Sequence, residues 1–146
     1  MQRGWREEPG FSGGCQCGAV RYTVAPGPGK SAICHCRMCQ RATGNAFAPL
    51  LEVPSVRIVW TGTPAEWASS DVAMRGFCAT CGTPLYYRSD DTTEIMAGTI
   101  APRFAFHPFE SISVESRRDW LADLPGLPEI RTPPGYVVRS FQSPEQ

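Results

Sequence analysis

The chain has 146 residues, of which 42% are hydrophobic and 10% aromatic, and its formal net charge is zero. This length and composition predict a single globular domain over residues 1–146 and exclude a disordered chain. A neutral charge argues against non-specific nucleic-acid binding, which needs an excess of cations. No apolar run approaches the ~20 residues of a membrane helix, and the start of the chain is polar. We therefore expect a cytoplasmic protein without a nucleic-acid or membrane partner.

The predicted elements are mostly short strands separated by turns. Residues 1–12 are polar and charged and predict a loose leader, and the Pro-Gly-Pro-Gly sequence over 26–29 predicts a turn. Elsewhere, short apolar or alternating segments bounded by turn residues indicate strands. We expect these strands at residues 19–25, 31–34, 46–52, 56–60, 66–69, 72–77, 85–88, 94–97 and 112–115.

Little helix is expected. Residues 37–43 predict one or two helical turns closed by Gly44, and residues 117–123 predict one or two more. Residues 126–146 are expected to form a C-terminal arm along the surface. The predicted fold class is therefore all-β, a single antiparallel domain of short strands with little helix.

All seven cysteines fall in three clusters. A cytoplasmic protein keeps its thiols reduced, and an odd number of them cannot all pair, so clustered cysteines favour metal ligation over disulfides. Two clusters supply two thiols each, and one supplies three. The clusters are Cys15 with Cys17, Cys34 with Cys36 and Cys39, and Cys78 with Cys81.

Seven thiols divide naturally into four and three. A structural zinc has four protein ligands, whereas a catalytic zinc has three and keeps one position for water or substrate. Both two-thiol clusters are followed by glycine, which permits a tight turn beside the ligand. We expect a structural zinc on these four thiols. The alternatives are buried free thiols or a redox pair formed by Cys78 and Cys81. The four residues are Cys15, Cys17, Cys78 and Cys81.

The remaining thiols, Cys34, Cys36 and Cys39, come from one short segment and predict a catalytic zinc with an open position. The alternative is a second structural zinc completed by His107 or a carboxylate. His35 is expected to point away from the metal as a surface or supporting residue, with ligation or proton transfer as the alternative. His107 lies in an aromatic loop, where packing is expected and acid–base catalysis is the alternative.

Residues near the three-cysteine segment are candidates for substrate binding. Arg37, Arg41 or Arg75 could hold a substrate carboxylate, because arginine pairs with carboxylates through two hydrogen bonds. Asn45 and Phe47 follow the segment closely and are expected to line the same pocket as Arg37 and Arg41.

The cysteine clusters and their surroundings resemble the glutathione-dependent formaldehyde-activating enzyme family, which includes centromere protein V. The resemblance spans about residues 11–125. It is strongest at residues 13–22 (GGCQCGAVRY), 34–41 (CHCRMCQR) and 77–84 (FCATCGTP).

The resemblance implies an all-β fold of packed antiparallel sheets with two zinc sites, and so two zinc ions per chain, with the division of thiols described above. It also implies carbon–sulfur lyase chemistry on a thiol–aldehyde adduct similar to S-hydroxymethylglutathione, with a small-molecule thiol as the partner. A non-enzymatic interaction module with two structural zincs is the alternative function.

Overall fold

The computed structural model describes residues 2–145, which form two β-sheets and one short α-helix. The helix, α1, spans Arg37–Thr43. The strands are β1 Trp5–Glu8, β2 Phe11–Gly14, β3 Arg21–Val24, β4 Gly27–Cys34, β5 Ala48–Pro54, β6 Ile58–Thr61, β7 Ala65–Ala68, β8 Met74–Phe77, β9 Pro84–Ser89, β10 Thr92–Met96 and β11 Glu110–Ile112. Short 3-10 helices span Ser55–Arg57, Ala97–Thr99, Val114–Ser116 and Asp119–Gly126.

The larger sheet has the strand order β1-β4-β5-β10-β9-β8-β7, with β11 beside β4, and the smaller sheet has the order β2-β3-β6. The paired strands run antiparallel, except that β11 runs parallel to β4, with Glu110 opposite Ala32 and Ile112 opposite Cys34. The all-β antiparallel fold class is confirmed, with this parallel pair as a difference in detail.

Strand β5 lies at the centre and is buried on both faces. Leu51 and Val53 pack with Tyr22 of the smaller sheet. Ala48 and Leu50 alternate with them and therefore face the opposite side, where α1 contacts β5. The larger sheet thus lies between the smaller sheet and α1.

The predicted loose leader over residues 1–12 is wrong for the residues that the structure describes. β1 pairs with β4, and β2 pairs with β3, with Phe11 opposite Val24 and buried in the core. The predicted turn over 26–29 is also wrong, because pairing with β1 extends β4 back to Gly27. Both errors come from partners that are distant in sequence.

Helix α1 has the predicted bounds, and the predicted closure at Gly44 is confirmed. At its start, Cys36 accepts a hydrogen bond through Sγ from the Cys39 N–H at 3.3 Å. At its end, Gly44 adopts a left-handed conformation with φ of 62°, and its N–H donates to the Gln40 carbonyl. Glycine is favoured there because a side chain strains this conformation.

The bounds of the other predicted strands lie within about two residues of observed ones, with two exceptions. The strand predicted at 31–34 is longer in the structure, where β4 begins at Gly27. The other exception is the strand predicted at 112–115. That last prediction covers only the end of β11 and then a 3-10 helix. Residues 127–145 are mostly exposed, and the Ser143 N–H donates to the Gln16 carbonyl at 2.8 Å. None of the helices formed by residues 2–145 has the length and apolar character needed to cross a bilayer.

Candidate metal and active site

Four cysteine sulfur atoms meet where the two sheets adjoin. Cys15 and Cys17 follow β2, and Cys78 and Cys81 follow β8. The four sulfur atoms all lie within 4.8 Å of one another, with 3.7 Å between Cys15 and Cys17 and 3.8 Å between Cys17 and Cys78. A tetrahedral zinc with bonds of about 2.3 Å separates its sulfur ligands by about 3.8 Å. The spacing and chemistry of this four-cysteine group therefore fit a zinc ion.

Neighbouring donors stabilise negative charge on the four-cysteine group. The Val20 N–H donates to Cys15 Sγ at 3.3 Å, and Thr83 Oγ1 lies 3.2 Å from Cys81 Sγ. Burial raises the pKa of Cys81, but hydrogen bonds from Thr83 and nearby groups outweigh it and lower that pKa to about 5. The Thr83 contact therefore favours the thiolate form of Cys81, which is the form that binds metal.

The second group, here called the three-cysteine group, lies between β4 and α1. Cys34 ends β4, Cys36 caps α1 and Cys39 lies within the helix. Their sulfur atoms lie within 4.8 Å of one another. Among residues 2–145, no histidine, aspartate or glutamate joins them as a fourth potential ligand. The group can hold a metal ion while leaving one coordination position for another molecule.

A buried arginine supplies positive charge to the three-cysteine group. Arg75 is 6% exposed, and its Nη2 donates to Cys39 Sγ at 3.5 Å. Its Nε donates to Ser69 Oγ at 3.0 Å, and its guanidinium lies 5.0 Å from the centre of the Tyr87 ring. The Cys39 thiol donates to Cys34, which lowers the pKa of Cys34 to about 5. The same hydrogen bond, with burial, raises the pKa of Cys39, an effect that Arg75 opposes.

Neither histidine belongs to a cysteine group. His35 is buried, with Nε2 3.4 Å from Ser111 Oγ and its ring centre 6.0 Å from that of Phe47. The expected surface position of His35 is therefore wrong, whereas a supporting role stays a prediction. Burial lowers the pKa of His35. His107 is exposed, which does not support the packing role expected for it.

Three of the five candidate substrate-binding residues line one cavity of about 280 Å³. Arg37, Arg41 and Asn45 lie there together with Arg118 and Trp120. The residues that line it include three arginines and no carboxylate, so the cavity favours an anion. Phe47 is not among them and lies against His35 instead. Their contact with a substrate stays a prediction.

A second cavity, of about 560 Å³, shares Arg41 with the first and was not predicted from the sequence. Met38 and Arg41 of the helix line it, together with Trp67, Arg75 and Phe77 of the larger sheet. In the structure Trp67 is opposite Arg75 in strand register, so both side chains face the same way. No local pattern indicated that this face adjoins α1.

The chain is similar to two known proteins to different degrees. An uncharacterized lyase of Schizosaccharomyces pombe is 29% identical over 79 residues, which are 54% of this chain and 58% of that lyase. The match therefore spans less than two thirds of this curated relative. A crystal structure of a Rhodobacter sphaeroides protein aligns with 69% of this chain and 99% of its own, at a TM-score of 0.50 and 18% identity. That likeness concerns the fold alone.

The family comparison covers more of the chain. The sequence profile of the glutathione-dependent formaldehyde-activating enzyme matches residues 10–116, which is well over half of the chain. Both cysteine groups lie inside the matched range. With its two-sheet fold and seven thiols in two groups, the chain belongs to the glutathione-dependent formaldehyde-activating enzyme family.

Proposed function

We propose that this protein is a zinc-dependent carbon–sulfur lyase that acts on a thiol–aldehyde adduct similar to S-hydroxymethylglutathione. The observation that carries the proposal is the difference between the two cysteine groups. One brings together four sulfur atoms, and the other only three, with no further potential ligand among the described residues. Four protein ligands are typical of a structural zinc and three of a catalytic zinc.

In this proposal the chain holds two zinc ions with separate roles. The structural zinc is held by the four-cysteine group, and the catalytic zinc is held by Cys34, Cys36 and Cys39. When bound there, zinc supplies a Lewis acid that favours the thiolate form of a substrate thiol. Family membership and the lyase-named relative support this chemistry.

The reaction needs no oxidant and no second reactant. In the cleavage direction the carbon–sulfur bond of R–S–CH₂–OH breaks, and its electron pair stays on sulfur. The hydroxyl group loses its proton and becomes the carbonyl group of formaldehyde, and that proton balances the thiolate, so the products are a thiol and an aldehyde. The positive charge of Arg75 stabilises the negative charge that accumulates around Cys39 and on the departing sulfur.

The arginine-lined cavity gives the substrate an orientation. Arg37 and Arg41 belong to α1, the helix that also carries Cys39, and Asn45 follows its end. A carboxylate held at this cavity would restrain a thiol whose sulfur lies at the three-cysteine group, which increases the rate through proximity. We place the protein in the cytoplasm, where reduced glutathione is abundant and ligand thiols stay reduced.

Exchange spectroscopy tests the proposal directly. Glutathione and ¹³C-formaldehyde form their adduct spontaneously, and two-dimensional exchange NMR measures how fast adduct and free aldehyde interconvert. Zinc-loaded protein is expected to increase this rate. The control is the Cys36→Ser variant, prepared so that its four-cysteine group holds as much zinc as in the wild type. This variant is expected to leave the rate at the spontaneous value. Equal rates with both proteins, at several thiols, would favour the interaction-module alternative.

A further inference from the structure

We propose that the groove between α1 and strands β7 to β9 binds the apolar part of an anionic thiol substrate. The preferred substrate then carries an aromatic or bulky aliphatic group in addition to its sulfur and acidic group. This inference rests on the proposed function, because it assumes that the sulfur of the same molecule lies at the three-cysteine group.

The groove has the size and lining of a small-molecule site. Its volume is about 560 Å³, within the range of about 300–1,000 Å³ that is usual for such sites. Large apolar and aromatic side chains make up half of its lining. They are Met38, Trp67, Phe77, Pro84, Tyr86 and Met96.

The groove shares a wall with the three-cysteine group. Arg75 lines the groove and donates to Cys39 Sγ at 3.5 Å. Met96 also lines it and packs in the same apolar cluster as Cys34 and Cys39. A molecule in the groove therefore lies beside the group that we assign to the catalytic metal.

Large apolar side chains around the groove are left exposed to solvent. Trp67 is 64% exposed, Met38 55% and Phe77 36%, although all three border the same cavity. An aromatic ring placed among them would remove apolar surface from water on both molecules, which is favourable. The exposed surface thus indicates an apolar ligand group of about the size of a phenyl ring.

The charges of the groove favour an anion. Two arginines, Arg41 and Arg75, line it, and no carboxylate does. Arg41 is exposed and can donate to a ligand. Arg75 is almost wholly buried, has no carboxylate oxygen within ion-pair distance, and keeps Nη1 without an acceptor among the described residues. Arg75 already faces the Cys39 sulfur through Nη2, so Nη1 is the donor that remains for a ligand in the groove.

The contributions of the ring and the sulfur to affinity can be separated with three small acids. Calorimetry measures the binding of each acid to the zinc-loaded protein. The probes are 2-sulfanyl-3-phenylpropanoate, 2-sulfanylpropanoate without the ring, and 3-phenylpropanoate without the sulfur. We expect the first to bind at least about tenfold more tightly than the second, because burial of a ring is worth that much or more.

Two variants assign this gain to the groove. Trp67→Ala is expected to remove most of the preference for the phenyl-bearing thiol. Tyr136→Ala is the matched control, since Tyr136 is an aromatic residue of nearly the same exposure, 65%, and lies outside the groove. A preference that survives Trp67→Ala, or that falls equally with Tyr136→Ala, would overturn the inference.

The probes also separate this inference from the proposed function. If both thiols bind equally, the groove does not select the ring and the inference fails alone. If 3-phenylpropanoate binds as tightly as its thiol analogue and depends on Trp67, the groove stands and thiol binding at the metal fails. If none of the three binds, both are overturned.

Discussion

Cys17 Sγ lies 3.8 Å from Cys78 Sγ, although 61 positions separate the two cysteines in the sequence. Cys17 follows β2 of the smaller sheet, and Cys78 follows β8 of the larger one. A metal ion on the four-cysteine group therefore joins two sheets. The three-cysteine group joins only β4 to the helix that immediately follows it, so the two groups contribute differently to stability.

Substitution of one ligand in each group should separate these contributions. Cys81→Ser is expected to lower the free energy of unfolding by about 3 kcal/mol or more, since binding of a structural zinc is coupled to folding. Cys36→Ser is expected to lose one zinc ion and the activity but to keep the fold. Circular dichroism melts and zinc content of both variants measure this. Equal destabilisation would contradict the division into structural and catalytic groups.

Arg75 should support metal binding through Cys39. Arg75→Gln removes the positive charge beside the Cys39 sulfur, and we expect the affinity of the three-cysteine group for zinc to fall about 10- to 100-fold, as is usual for residues that support metal ligands. Arg75→Lys keeps the charge and should lose less. Competition with a zinc-binding dye measures both affinities, and the zinc of the four-cysteine group provides an internal reference. An unchanged affinity in Arg75→Gln would mean that this contact does not affect the metal.

The end of α1 depends on a conformation that favours glycine. Gly44 has φ of 62°, and a Cβ atom there would meet no atom within 4 Å. Gly44→Ala should therefore destabilise the protein by about 1 kcal/mol through backbone strain alone. Gly44→Asn should cost less, because asparagine tolerates the left-handed region. Urea unfolding of the two variants gives the comparison, and a cost that is equal for both would point to another cause.

Burial of Glu94 should make stability depend on pH. Burial, together with the negative charges of Glu52 and Cys34, raises the pKa of Glu94 to about 7. Because the folded-state pKa lies above the ordinary value of 4.5, the folded state holds the proton more tightly. The resulting stability is fully present below about pH 4.5 and is lost as the pH rises through about 7.

Glu94→Gln has no proton to lose. The free energy of unfolding of the wild type should thus fall relative to this variant between about pH 5 and 8. The control is Glu110→Gln. In the wild type, Glu110 accepts a hydrogen bond from Lys30 at 2.7 Å, which lowers the pKa of Glu110. A lowered pKa affects stability only at more acidic pH. Parallel curves for wild type and Glu94→Gln would show that Glu94 titrates normally.

Local signals in the sequence account for the features that could be predicted. The spacing of the seven cysteines predicted the two sets of sulfur atoms that the structure brings together, although their metal-binding roles stay predictions. Helix α1 was predicted because its cap residue, Gly44, lies next to it in the sequence. The turns between β7 and β8 and between β9 and β10 were likewise indicated by residues in the turns themselves.

Features that depend on distant partners could not be predicted. Residues 5–8 have no apolar pattern, and they form β1 only because the edge of β4 is available to them. Arg75 lies 36 positions from Cys39, and only the packing of the larger sheet against α1 brings them together. The apolar groove has the same origin, since its two sides come from α1 and from β7 to β9.

The central claim is tested most directly by a crystal structure of the zinc-loaded protein with a bound small thiol. Anomalous scattering at the zinc edge locates the metal ions in it. We predict two zinc peaks per chain, one among Cys15, Cys17, Cys78 and Cys81 and one among Cys34, Cys36 and Cys39. The second zinc should have the sulfur of the added thiol as its fourth ligand, at about 2.3 Å. A second zinc whose fourth ligand is a protein side chain, or a single zinc peak, would contradict the account.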